Sequence, residues 1–166
     1  MKRSVLPARE LVGTLAPPAD KSVSHRAAIL NSLAFGEAVI DNFSEGADCR
    51  STLRCLRALG VIAENVAPQE GSNEAPKLKI KSPGLGDFQE PNDVLNAENS
   101  GTTMRFLMGL LGTTHFVSVV TGDRSLRSRP MGRIVQPLRL MGAQVMGRGG
   151  DSLAPLTIRG GDLKGI

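Results

Sequence analysis

The feature that most constrains the fold is an internal repeat. Leu56-Arg57-Ala58-Leu59-Gly60 matches Leu138-Arg139-Leu140-Met141-Gly142 at an offset of 82 residues. Arg26 and Arg105 fall at corresponding places 79 apart, and Ile80-Lys81 and Ile158-Arg159 lie 78 apart. Around these anchors hydrophobic periodicity predicts one element order used twice: helix, strand, helix, strand, strand. The first set is a helix over 22–34 ended by Gly36, a strand over 38–43, a helix from Asp48 to before Gly60, and strands over 61–66 and 78–81, with a polar hairpin loop over 68–76. The second is a helix from Asn99 to Leu111, a strand over 115–121, a helix over 131–141, and strands over 143–146 and 156–159 around the glycines of 147–150. Pro137 lies inside the last helix and removes a backbone donor, so that helix should be bent or short. Residues 1–16 read as a short strand and a turn. The expectation is an α/β chain with an N-terminal segment over 1–14, one unit over 15–84 and a second over 85–166.

The first helix of each unit has almost no polar face, so both should be buried side by side. If a simple rotation relates the units, both N-termini reach one surface. The stretch Pro17–Leu33 then becomes informative. Ser22 or Ser24 can cap its helix. Lys21 and Arg26 flank the first turn, where the macrodipole is already positive. One reading is a capped helix with snorkelling cations; the other is an anion held between those cations. The shared surface would carry Lys21, Ser22, Arg26, Asn99, Ser100, Gly101 and Thr102. Gly101 has no side chain to keep a ligand from the backbone. Arg105 is the only charge of its helix, and serves either that surface or an internal ion pair with Asp48 or another carboxylate.

The segment Gly122-Asp-Arg-Ser-Leu-Arg-Ser-Arg-Pro-Met-Gly-Arg133 is rich in arginine, whose fork suits phosphate and carboxylate. Arg124 and Arg127 read as solvated loop residues. Arg129 differs, because Pro130 restricts its backbone to an extended form and thereby its aim. Residues 1–99 carry 11 basic and 13 acidic groups, whereas 100–166 carry 9 and 3, so the second half favours an anionic partner. Aromatic residues are 3%, without Trp or Tyr, which argues against base-stacking platforms, and there is no Lys/Arg run of the nucleic-acid-binding kind. Cys49 and Cys55 are six apart, a spacing for neither metal clamp nor redox pair, and are expected reduced and buried. His25 and His115 stand in different elements; His25 reads as a structural or supporting group. No long apolar run suggests a signal peptide or membrane span, so a soluble, cytoplasmic protein is the default.

Asp-Lys-Ser-Val-Ser-His-Arg, Asn-Ser-Gly-Thr-Thr-Met-Arg and the arginine-rich segment, in this order, resemble the 5-enolpyruvylshikimate-3-phosphate synthase family. The resemblance runs from about residue 12 to the end. It implies an enolpyruvyl transferase fold of repeated βαβαββ units, three to a lobe, with buried parallel helices aimed at an interlobe cleft and sheets outside. Two such units would be present here. It also implies transfer of the enolpyruvyl group of phosphoenolpyruvate to the 5-hydroxyl of shikimate 3-phosphate, by addition then elimination, without metal or organic cofactor. Carried over residue by residue, Lys21 would be catalytic and touch both substrates. Ser22 and Arg26 would hold shikimate 3-phosphate. Gly101 and Arg129, with Asn99 and Thr102 nearby, would line the phosphoenolpyruvate site, where glyphosate competes in the family. Gly101 argues for glyphosate sensitivity; Ser100 and Thr103 resemble tolerant subgroups, and Phe106 stands where many members have Pro. Family chains are more than twice this long, so the chain is expected to be a fragment, inactive until a complementing C-terminal polypeptide supplies the rest. The competing readings are a non-enzymatic anion-binding module and a UDP-N-acetylglucosamine enolpyruvyl transferase-like protein. The latter has a Lys-Asn start and commonly a loop cysteine, and no cysteine follows Cys55.

Overall fold

The computed structural model describes residues 4, 7, 9, 10, 12–15, 17–67 and 77–166. The first half runs α1 (Lys21–Leu33), β1 (Phe35–Asp41), α2 (Ala47–Ala58), β2 (Ile62–Val66) and β3 (Lys77–Pro83). The second runs β4 (Leu95–Asn96), α3 (Gly101–Leu111), β5 (Val117–Thr121), α4 (Gly132–Leu140), β6 (Gln144–Gly147) and β7 (Leu153–Arg159). The hairpin loop expected over 68–76 lies outside the described residues. So does part of 1–16, whose described positions form no strand.

The two sheets are wired alike. Their strand orders are β1-β3-β2 and β4-β5-β7-β6, and β3 and β7 each pair antiparallel with both neighbours. Ile80 sits between Ala38 and Ala63, and Ile158 between Ser118 and Val145. The helix ends match too. Arg57 Nε donates to the Ala63 carbonyl at 3.0 Å, and Arg139 Nε to the Val145 carbonyl at 3.1 Å. Gly60 and Gly142 follow these helices at φ +94° and +110°, a turn that L side chains resist.

The helix caps correct the alignment by one residue. Asp20 caps α1 by accepting from the Val23 N–H at 2.6 Å, so neither Ser22 nor Ser24 does; Ser100 caps α3 through the Thr103 N–H at 3.1 Å. These caps are 80 apart, which places Arg105 opposite His25 rather than Arg26. Strand β4, parallel to β5, is a strand that periodicity missed: two residues carry no alternation. α4 is short, with 9 residues against 12 for α2, but it runs past Pro137 and ends where α2 does; the missing residues are at its start, after Pro130.

The helices pack on the inner sheet faces around a single core that includes Leu56, Leu78, Ile80, Met104, Leu107, Leu156 and Ile158, all at most 1% exposed. Burying each such side chain contributes about 1.5–3 kcal/mol. Glu37, Lys79 and Lys81 form ion pairs on the outer face of the first sheet. α3 is buried except around Phe106, which is 40% exposed, and α1 is not buried all round. It covers Ser24, His25, Ala28, Ile29 and Ser32 and leaves Val23, Arg26 and Leu30 exposed. Among the described residues, no helix is long and apolar enough to cross a membrane.

Candidate anion site at three helix starts

α1 and α3 begin beside each other because α2 begins between them. The Lys21 ammonium meets Asp48 Oδ2 at 2.9 Å, and the Cys49 thiol reaches the Lys21 carbonyl at 3.6 Å. From α3, Thr103 Oγ1 donates to the Asp48 carbonyl at 3.3 Å. Behind this junction runs a buried chain of hydroxyls. His25 Nδ1 pairs with Thr52 Oγ1 at 2.8 Å, Thr52 Oγ1 with Thr103 Oγ1 at 2.7 Å, and Thr103 Oγ1 with Ser100 Oγ at 2.7 Å. His25 is fully buried and its Nε2 has no partner among the described residues. Burial pushes the imidazole below its ordinary value of 6.5, with the opposing pull of Asp48 and the push of Lys21 smaller, so it is neutral at pH 7.

The arginine-rich segment is fastened to the start of α3. The Asp123 N–H donates to the Glu98 carbonyl at 2.7 Å, and a Cβ on Gly122 would lie 2.4 Å from that same oxygen. Only glycine permits that approach. Asp123 accepts from the Leu126 N–H at 2.7 Å and from Asn99 Nδ2 at 2.6 Å; these bonds, the backbone one first, hold its carboxyl below the ordinary 3.8. Arg129 is extended, at φ −82° and ψ 135°, as its neighbour Pro130 dictates. Its guanidinium donates to Asn99 Oδ1, and to Ser125 Oγ at 3.2 Å.

The residues expected to form the site are therefore linked: Lys21 through Asp48 to Thr103 and Ser100, and onward along the backbone through Asn99 to Arg129. Ser22 and Arg26 lie exposed on the first turns of α1, their side chains without hydrogen bond or ion pair among the described residues. Gly101 is buried and Thr102 half-buried in the first turn of α3. Arg105 forms no ion pair among the described residues, because Asp48 is taken by Lys21. Its guanidinium lies over Gly101, 3.0 Å from where a Cβ would stand. Thr52 and Asp123 were not legible as site residues, and Asp48 was expected to pair with Arg105 rather than Lys21. The available sign was an acid in the first turn of α2. Asp48 holds the Lys21 ammonium above its ordinary 10.5, so it stays charged.

Cys49 and Cys55 are free and buried, and burial pushes the Cys55 thiol up to about 12. Among the described residues no group of three or more His, Cys, Asp or Glu side chains is placed to hold a metal.

Two like-wired sheets, with helix starts and hydroxyls gathered at one surface, make a mixed α/β fold of the enolpyruvyl transferase class. The family model for EPSP synthase (3-phosphoshikimate 1-carboxyvinyltransferase) matches residues 5–166, and the chain belongs to that family. It is 52% identical over 161 residues to the 3-phosphoshikimate 1-carboxyvinyltransferase of Synechococcus sp. (strain JA-3-3Ab), covering 96% of this chain and 35% of that protein. To that of Desulforamulus reducens it is 45% identical over 166 residues, covering 100% and 37%. The EPSP synthase structure from Acinetobacter baumannii superposes with a TM-score of 0.82 at 42% identity, covering 93% of this chain and 33% of that one. The chain thus spans about a third of the length of the curated relatives it matches.

Proposed function

We propose that this chain supplies part of the active site of a cytoplasmic EPSP synthase, transferring the enolpyruvyl group of phosphoenolpyruvate to the 5-hydroxyl of shikimate 3-phosphate with release of phosphate. Residues 15–84 and 85–166 act as two units of one lobe, and a C-terminal polypeptide completes the site. The observation that carries the reading is the meeting of α1 and α3 at Asp48, which joins Lys21 to the segment holding Asn99 and Arg129. In this reading Arg26 and Ser22 hold shikimate 3-phosphate, Arg26 by its carboxylate. Arg129, positioned by Asn99, and the backbone at Gly101 and Thr102 hold phosphoenolpyruvate. Lys21 lies between the two anions. Held protonated by Asp48, it offsets their repulsion and stabilises negative charge in the addition step. No metal or organic cofactor enters. Catalysis is then positioning plus charge stabilisation.

The test is turnover and shikimate 3-phosphate binding, with and without the remaining two thirds of a relative's chain. Turnover is expected only in the mixture. Arg26→Ala should weaken shikimate 3-phosphate binding roughly ten- to a hundredfold, the range of a lost charge-assisted bond. If the two polypeptides associate and bind the substrate yet never turn over, the reading fails and a binding module remains.

A further inference from the structure

The connection from β5 to α4, which also carries Asp123, Ser125 and Arg129 of the site described above, meets the connection from β6 to β7. The Met131 N–H donates to the Ser152 carbonyl at 2.7 Å and ties them together. Between them lies a cavity of about 530 Å³ lined by Arg124, Arg127, Ser128, Arg148 and Leu153. Arg127 and Ser128 come from a tight 3₁₀ turn, Leu126–Ser128. Arg148 opens a left-handed turn through Gly149 and Gly150 and is steadied by Nη1 donating to the Ala154 carbonyl at 3.0 Å.

Three arginines from two connections thus line one hollow, and none forms an ion pair among the described residues. The nearby carboxylates are committed elsewhere: Asp123 to Asn99 and the Leu126 N–H, Asp151 to Arg139 and the Gly147 N–H. Asp151 takes φ +65° to make those bonds. A solvated loop accounts for Arg124 and Arg127 alone, but not for a third arginine brought to them by a different connection.

We propose that Arg124, Arg127 and Arg148 form a second anion site, which takes a phosphorylated small molecule. The guanidinium forks suit the phosphate. Leu153 offers an apolar wall to its carbon skeleton, and the volume falls in the range of metabolite pockets. Arg129 does not line this cavity, and the inference stands without the substrate assignment made above.

Amide chemical-shift titration of the 166-residue chain with inorganic pyrophosphate, at constant ionic strength, tests it. Saturable shifts are expected at Arg127, Ser128, Arg148 and Leu153. Arg127→Ala and Arg148→Ala should each weaken that binding about tenfold, the effect of one charge-assisted bond. Arg148→Lys should lie between, and Lys21→Ala with Arg26→Ala should leave it unchanged. Shifts confined to the starts of α1 and α3, or shifts at the cavity that never saturate or ignore Arg148→Ala, would overturn the proposal without touching the reading of the first site.

Discussion

Asp48 binds with both ends. Its carboxylate holds Lys21 at 2.9 Å, while its carbonyl accepts from Ser51 Oγ at 2.7 Å and Thr103 Oγ1 at 3.3 Å. One residue therefore sets the charge on a site cation and the spacing of two helix starts. Asp48→Asn keeps the shape and the carbonyl but removes the charge. The Lys21 value should fall towards its ordinary 10.5, read by side-chain NMR titration. The sign for stability follows from linkage. A lysine value raised by folding contributes stability that is complete below the unfolded value of about 10.4 and is lost as pH rises through the folded one. The gap in urea midpoint between the native chain and Asp48→Asn should therefore narrow above pH 10.5. A Lys21 titration unmoved by the substitution contradicts the pairing.

The three helix starts cohere through buried hydroxyls rather than through apolar packing alone. Thr103 Oγ1 serves Thr52, Ser100 and the Asp48 carbonyl. Thr103→Val strands buried partners and should cost about 1–3 kcal/mol in urea unfolding. Adding Thr52→Val should cost less than the sum of the two single changes, because the pair then leaves together. Additive losses would mean that the hydroxyls act separately. This network also marks the boundary of what the sequence discloses. The repeat was legible because Leu56–Gly60 and Leu138–Gly142 keep the same helix-ending chemistry, and Arg129 because Pro130 fixes its backbone. The cap was misplaced because Asp20, Ser22 and Ser24 are all capping residue types, and only the turn of the chain selects among them. Thr52 was silent, Asp48 was read only as a partner for Arg105, and Thr103 only as part of its own segment, because threonine and aspartate in a first or second helical turn are ordinary; their meaning lies in contacts about 50 residues apart, which no local period encodes.

At the scale of the molecule, the outer side of α1 is out of keeping with the rest. Val23 and Leu30 lie two turns apart on one face, 54% and 62% exposed, and Phe35 just beyond is 88% exposed. In the split-enzyme reading proposed above, the complementing polypeptide is the cover for this face. Leu30→Glu separates folding from association. At an exposed position it should change the stability of the 166-residue chain by no more than about 0.5 kcal/mol. Facing a partner, the same carboxylate would have to be buried unpaired, so affinity for the complementing polypeptide should fall at least about tenfold. Urea unfolding of the chain alone and calorimetric titration with the complementing part read the two effects independently. Undiminished association of Leu30→Glu would leave this face open to solvent and place the contact with the rest of the enzyme at the site surface alone.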